Sequence, residues 1–162
     1  LLQEKLNIPI INSGICGDTT AGMLARLDRD VLAYKPSHVI IMGGTNDIWH
    51  GLSHQIILSH IMAMTRQARH RNIKAIIGIP PPCLSIDEDE GHDIFLDSTA
   101  LSRAVDRFRA YLIQAAKEDE TSFIDFGKHM EQKHFLDDGV HVNEAGQHVM
   151  AENALKLITS LG

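Results

Sequence analysis

The stretch His38-Val39-Ile40-Ile41-Met42-Gly43-Gly44-Thr45-Asn46-Asp47 decides the fold. Its first half is apolar without alternation, which is the pattern of a strand covered on both faces. The two glycines end it, and polar residues follow at once. Residues 74–79 repeat the pattern as a second continuous apolar strand, closed by Pro80-Pro81-Pro82. Between them, Ser53 is a plausible N-cap for a helix in which Ile56, Ile57, Ile61, Met64 and Ala68 keep helical spacing, with Asn72 marking its stop. Upstream, residues 20–34 form a helical stretch with Met23, Leu24, Leu27, Val31 and Leu32 on one face, and Pro36 ends it. Downstream, residues 84–97 are the least regular part of the chain. A long helix over 98–117 follows, with Leu101, Val105, Phe108, Leu112 and Ala116 in register. Residues 122–126 are a short last strand, and Asn143 caps a final helix to about residue 161. Residues 8–11, with Pro9 near the start, are a further short β-like run. Strands separated by helices of this length predict βαβ units, a parallel sheet and an α/β fold in a single domain over 1–162. No internal repeat or low-complexity linker interrupts it.

Composition narrows the function classes. The 162 residues are 44% hydrophobic and 22% charged, an ordinary globular balance. A net charge of −6 lacks the basic footprint that phosphate backbones require, so nucleic acid is not an expected partner. No apolar run reaches the roughly 18 residues of a membrane span. Cys16 and Cys83 form no CxxC and are expected as two free thiols, which fits a reducing, cytoplasmic setting. The oligomeric state is not readable from these residues.

In parallel α/β sheets, ligands bind outside the carboxyl ends of the strands. Gly, Asn, Asp and His concentrate there in this chain. Asp138-Gly139-Val140-His141 places a carboxylate three residues before a histidine across a Gly-containing turn. The carboxylate can reach back to Nδ1 and leave Nε2 as a general base, although a surface His near an Asp has the same signature. Asn46 could offer its side-chain NH₂ to a developing oxyanion, or it and Asp47 could cap the next segment. Asn12-Ser13-Gly14-Ile15-Cys16-Gly17-Asp18-Thr19 could present backbone N–H groups to an anion, or be a plain capped turn. It lacks the spacing of a Walker A loop.

Together, in order and in spacing, these three segments resemble the SGNH (GDSL-like) hydrolases, most closely the compact bacterial thioesterase/lysophospholipase-like and arylesterase-like members. The resemblance extends over the whole chain. It implies a three-layer α/β/α, flavodoxin-like fold with a parallel five-stranded sheet. It also implies an oxyanion hole from Gly17 and Asn46, and Asp138 and His141 as the triad partners of a nucleophilic serine. Val142-Asn143-Glu144-Ala145-Gly146 fits the run that opens the family's last helix.

The family's first block, GDS, is absent from residues 1–162. Gly17-Asp18-Thr19-Thr20-Ala21-Gly22 imitates it with Thr for Ser, but Gly17 precedes Asn46 by 29 residues, the interval of the second to the third block. The natural chain is therefore expected to begin earlier, with Leu1-Leu2-Gln3-Glu4-Lys5-Leu6 as the tail of a helix that follows a strand and the GDS loop, a unit of roughly 30 residues. That strand would lie centrally, between residues 8–11 and 39–42, and its loss would leave unpaired backbone in the core. Ser13, Ser53, Ser85 and Ser98 lack the loop context of a nucleophile.

Other features read blandly. Ten histidines include the pair His50 and His54 and the group His129, His134 and His141, but no HExxH or Cys/His ladder is present, so neither metal nor cofactor is expected. The acidic run Asp87-Glu88-Asp89-Glu90 is a solvated loop or part of a lid. Cys16 and Cys83 are expected buried or partly buried near the pocket rim, and Trp49 either walls the acyl pocket or packs on the next helix. The expected function is hydrolysis of carboxylic esters (short-chain acyl esters, lysophospholipids, thioesters or O-acetyl sugars) through an acyl-serine. The alternatives are a non-catalytic small-molecule or carbohydrate-binding module on the same fold, and acyl transfer to another alcohol.

Overall fold

In the computed structural model, which describes residues 1–85 and 98–160, three strands pair in parallel in the order β1-β2-β3: His38–Met42 (β1), Lys74–Ile79 (β2) and Phe123–Asp125 (β3). The register sets Ile40 beside Ile76 and Ile77 beside Phe123. Parallel neighbours need long crossovers, and helices supply them. The remaining elements are α1 (Leu2–Leu6), α2 (Thr20–Asp30), α3 (Thr45–Trp49), α4 (His54–His70), α5 (Ser98–Glu118) and α6 (Glu144–Ser160), with 3₁₀ turns at Leu32–Tyr34 and Gln132–His134.

Strand alternation sorts the core into two layers. Ile41, Ala75, Ile77 and Ile79 face α2, α4 and α5, where they meet Leu27, Ile57, Ile61, Met64, Leu101 and Phe108. Ile40, Ile76 and Ile124 face the other way, toward Ala154, Leu157 and Ile158 of α6 and Leu2 of α1. The result is the α/β/α layering expected. All five positions predicted to align on the long helix, from Leu101 to Ala116, are buried. On α4 the buried stripe is Ile57, Ile61, Met64 and Ala68, while Ile56 is exposed. One residue is about 100° of helix, enough to turn Ile56 off the stripe. Ser53 caps α4 as expected, its Oγ accepting from Ile56 N–H at 3.4 Å.

Several elements differ from the expectations. Residues 8–11 form no strand, and Ile8, Ile10 and Ile11 are exposed. A strand needs a partner backbone, and among the described residues none pairs with this run or with the outer edge of β1, so three of the four strands expected within these residues form. The helix expected over 20–34 stops at Asp30, where Val31 leaves helical backbone at φ −132°, and a 3₁₀ turn over Leu32–Tyr34 follows before Pro36. The five-residue α3 forms where a turn was expected. The last strand is one residue shorter at each end than 122–126. The acidic run 87–90 and residue 161 lie outside the described residues.

Candidate active site

Beyond the carboxyl end of β1, Gly44 holds φ +115°, and a Cβ there would come within 2.6 Å of the Phe108 ring. Only glycine lets the chain turn this tightly against α5. The turn delivers Asn46 and Asp47 in the first turn of α3. Asn46 Nδ2 donates to the Asp18 carbonyl at 2.9 Å, which fixes the amide, and its second N–H has no acceptor among the described residues. Asp18 is the neighbour of Gly17, so this bond holds Asn46 against the loop that carries Gly17. Gly17 has φ +75°, and among the described residues no acceptor takes its N–H.

The loop that carries Gly17 is held by charge and by caps. Asp18 takes Thr19 N–H at 2.9 Å on Oδ1 and Arg26 Nε at 2.8 Å on Oδ2, while another Arg26 nitrogen donates to the Ser13 carbonyl at 2.6 Å. Thr19 Oγ1 caps α2 by accepting from Gly22 N–H at 3.3 Å. Asp47 is fully buried, and its carboxylate takes both the N–H and the hydroxyl of Thr20.

Asp138 and His141 sit on a turn closed by an antiparallel bridge between Phe135 and Val142 and by Leu136 N–H on the His141 carbonyl at 2.7 Å. Gly139 occupies the turn at φ +66°. Asp138 Oδ1 accepts from the N–H groups of Val140 and His141, both at 2.8 Å, and Oδ2 lies 2.7 Å from His141 Nδ1. A carboxylate only accepts, so Nδ1 carries the proton and Nε2 is left as the base. Partial burial would raise the Asp138 carboxyl, but the bonds from His141 and Val140 outweigh it and hold the group below its ordinary range. Asn143 braces the turn from both sides. Its Nδ2 gathers the carbonyls of Lys133 and Phe135, and its Oδ1 caps α6 by accepting from Gly146 N–H.

The turn is tied to the carboxyl end of β2, where Leu84 N–H donates to the Gly139 carbonyl at 2.8 Å. Cys83 lies buried beneath it. Burial, and then the charges of Asp106 and Asp138, push its thiol up to about 11. Arg109 reaches from α5 to the Pro80 carbonyl and to Asp125 at 3.1 Å, joining the ends of β2 and β3. An open cleft of about 650 Å³ runs along the turn, lined among others by Leu84, Glu131, Lys133, Phe135 and Asp137.

The structure thus joins Asp138 to His141, and Asn46 to the residue beside Gly17. Among the described residues no hydrogen bond or ion pair links the two pairs. Both pairs stand outside the carboxyl ends of the sheet, as the fold rule requires. Both cysteines are free, but Cys16 is exposed rather than buried, because its loop stands off the core. Trp49 is exposed at the end of α3. Ser13 Oγ donates to the Asp30 carbonyl, Ser53 caps α4 and Ser85 pairs with Thr99. Among the described residues no group of three or more His, Cys, Asp or Glu side chains is arranged for a metal ion, and no helix is long and apolar enough to cross a membrane. Sequence reasoning missed Thr20, His60, Arg109 and the bracing by Asn143; all but the last act across long sequence separations.

The chain is similar to known esterases and lipases. An acetylxylan esterase of Geobacillus stearothermophilus is 27% identical over 133 residues, 76% of this chain and 57% of that protein. The esterase TesA of Pseudomonas aeruginosa is 33% identical over 84 residues, 50% of this chain and 42% of that protein. The chain therefore spans about half the length of these relatives. The crystal structure of a GDSL-like lipase from Bacteroides thetaiotaomicron superposes with a TM-score of 0.83 at 20% identity, covering 99% of this chain and 80% of that one, which establishes the shared fold. Residues 1–149 match the family model of the GDSL-like lipases/acylhydrolases, and the chain belongs to that family.

Proposed function

We propose that this chain supplies the acid–base pair and the oxyanion donors of an ester hydrolase that works through an acyl-serine. The observation that carries the reading is the Asp138–His141 hydrogen bond of 2.7 Å, with the carboxylate pinned by two further N–H groups. The serine is proposed to sit on a strand paired with the outer edge of β1. Support comes from that edge itself, which among the described residues lacks a partner, and from the exposed Met42, Ile8, Ile10 and Ile11.

In the proposed reaction His141 Nε2 takes the serine proton as the oxygen attacks the ester carbonyl. Gly17 N–H and the second Asn46 N–H receive the resulting oxyanion. The imidazolium gives its proton to the leaving alcohol as the C–O bond breaks. Water, deprotonated by the same Nε2, then releases the acid and returns the serine. An O-acetylated carbohydrate is the first substrate to test, because a relative matching 133 residues is an acetylxylan esterase and the cleft beside the turn is rich in polar groups.

Replacing His141 by Ala is expected to abolish hydrolysis of p-nitrophenyl acetate and acetylated xylan and leave the protein folded. A fluorophosphonate probe is expected to label one serine in the protein, and none among Ser13, Ser53, Ser85 or Ser98. Saturable binding of the acetylated sugar without turnover would instead identify a binding module and refute the proposal.

A further inference from the structure

Thr20, Asp47 and His60 form a chain of hydrogen bonds that no step of the proposed reaction uses. Asp47 is fully buried, and so is Thr20. Thr20 Oγ1 stands 2.6 Å from Asp47 Oδ1 and 3.0 Å from His60 Nδ1. As a carboxylate Asp47 has no proton to give, so Thr20 Oγ1–H must donate to it. That hydroxyl has a single proton. The contact with His60 therefore runs the other way, with His60 Nδ1–H donating to Thr20 Oγ1. The order is His60 to Thr20 to Asp47, and it fixes both the histidine tautomer and the hydroxyl rotor.

The two ends of this chain matter because of their neighbours. Thr20 is the first residue of α2, three positions after Gly17. Asp47 is the residue after Asn46. The Thr20–Asp47 bonds therefore bolt the loop that carries one oxyanion donor to the helix that carries the other, alongside the 2.9 Å bond from Asn46 to Asp18. His60 comes from a third element, α4, and holds the bolt in its working orientation. Without it the Thr20 hydroxyl can rotate off the carboxylate, leaving a buried charge short of a donor.

We infer that His60 is a positioning residue of the oxyanion hole, setting the spacing of Gly17 N–H and Asn46 Nδ2 through Thr20 and Asp47. Its effect on rate rests on the ester-hydrolase reading; its effect on geometry does not. The test compares His60→Leu, which removes the donor, with His60→Asn, whose side-chain amide can place a donor near the Nδ1 position. In ¹⁵N-labelled protein, His60→Leu is expected to shift the Gly17 amide and Asn46 side-chain resonances and to speed hydrogen exchange at Thr20 N–H. It is also expected to lower kcat on p-nitrophenyl acetate about tenfold, less than deleting a donor because the donors are displaced, not removed. KM is expected to stay within about twofold, since the ground-state ester makes little use of the oxyanion hole. His60→Asn is expected to restore the resonances and the rate together. If His60→Leu does not fold, His60→Gln takes its place, because its amide reaches toward the Nε2 position and leaves Thr20 without the donor.

A loss of thermal stability in His60→Leu with both resonances and kcat unchanged would overturn the inference, as would a folded His60→Asn that restores neither. If no form of the protein turns over esters, the ester-hydrolase reading fails and the resonances alone decide the role of His60.

Discussion

Asp138→Asn separates a catalytic role for the Asp138–His141 pair from a structural one. The substituted side chain keeps an oxygen that can accept the N–H groups of Val140 and His141, which now donate to the carboxylate at 2.8 Å, so the turn is expected to survive. The atom facing His141 Nδ1 becomes an NH₂ donor. It can only meet an unprotonated Nδ1, which drives the ring proton to Nε2 and removes the base. The imidazolium of the transition state also loses its counter-ion. Two unit charges about 4 Å apart attract by roughly 1 kcal/mol in water and about 4 kcal/mol at an effective dielectric constant of about 20. Tautomer and charge together predict a fall in kcat of about 10³- to 10⁴-fold, or roughly 4–5.5 kcal/mol. The effect on folding is far smaller. With His141 at 69% and Asp138 at 48% side-chain exposure, the pair contributes about 0–1 kcal/mol to stability, a shift in Tm of a few degrees. The assay is kcat/KM for p-nitrophenyl acetate beside a thermal melt. The pH dependence follows in sign. The folded Asp138 carboxyl lies below its ordinary range, so its stabilisation is present above the unfolded value and lost as pH falls through the folded one. Carboxylate protonation therefore removes no activity above about pH 4. An Asp138→Asn protein within tenfold of the wild-type rate would refute the reasoning.

Gly44→Ala is expected to destabilise the fold by about 2–5 kcal/mol, because it adds strained backbone at φ +115° to a Cβ 2.6 Å from the Phe108 ring; in urea the midpoint falls with an unchanged m-value. Exposed Cys16 is expected to react rapidly with a thiol reagent at neutral pH and buried Cys83 only after unfolding, which mass spectrometry of the labelled peptides checks. The Cys83 thiol, pushed up to about 11 from its ordinary value of about 9, stays protonated in the fold while the unfolded thiol ionises. The fold therefore loses on the order of 2–3 kcal/mol of stability as pH rises from about 9 through about 11. Cys83→Ala is expected to flatten that part of the stability profile in urea titrations between about pH 9 and about pH 11.

What the sequence disclosed depended on whether a residue acts on near neighbours or distant ones. Residues 38–42 and 74–79 were legible as strands to the residue, because continuous β-branched runs bounded by glycine or proline have few other uses. The register of α5 was legible because burial on a helix repeats locally. Residues 8–11 have the same composition as a strand and form none among the described residues, since pairing is a property of two segments. Asp138 and His141 are three residues apart, so their contact follows from the turn. Asn46 and Asp18 are 28 apart, and beforehand only the family resemblance associated Asn46 with this loop, through Gly17. Thr20 meets Asp47 across 27 residues and His60 across 40, distances over which neither spacing nor composition carries a signal.

The same division governs how the proposed site would work. The proposed oxyanion donors are held by long-range bonds, part-buried at Asn46 and buried at Thr20 and Asp47, and so would cost little reorganisation when charge develops. The acid–base pair is built locally and stands in water, where its charges attract weakly. An ester lying over His141 would displace that water and lower the local dielectric constant. In the proposed reaction His141 acts as a neutral base, so the Asp138 carboxylate would gain its ionic partner as the imidazolium forms. Desolvation by substrate then strengthens an interaction that exists in the transition state and hardly at all in the ground state, which is the condition for a contact to raise kcat rather than lower KM. The exposure that makes Asp138 and His141 nearly irrelevant to folding is therefore compatible with a large role in the rate. The pair should accordingly contribute most to substrates whose acyl or leaving group covers His141.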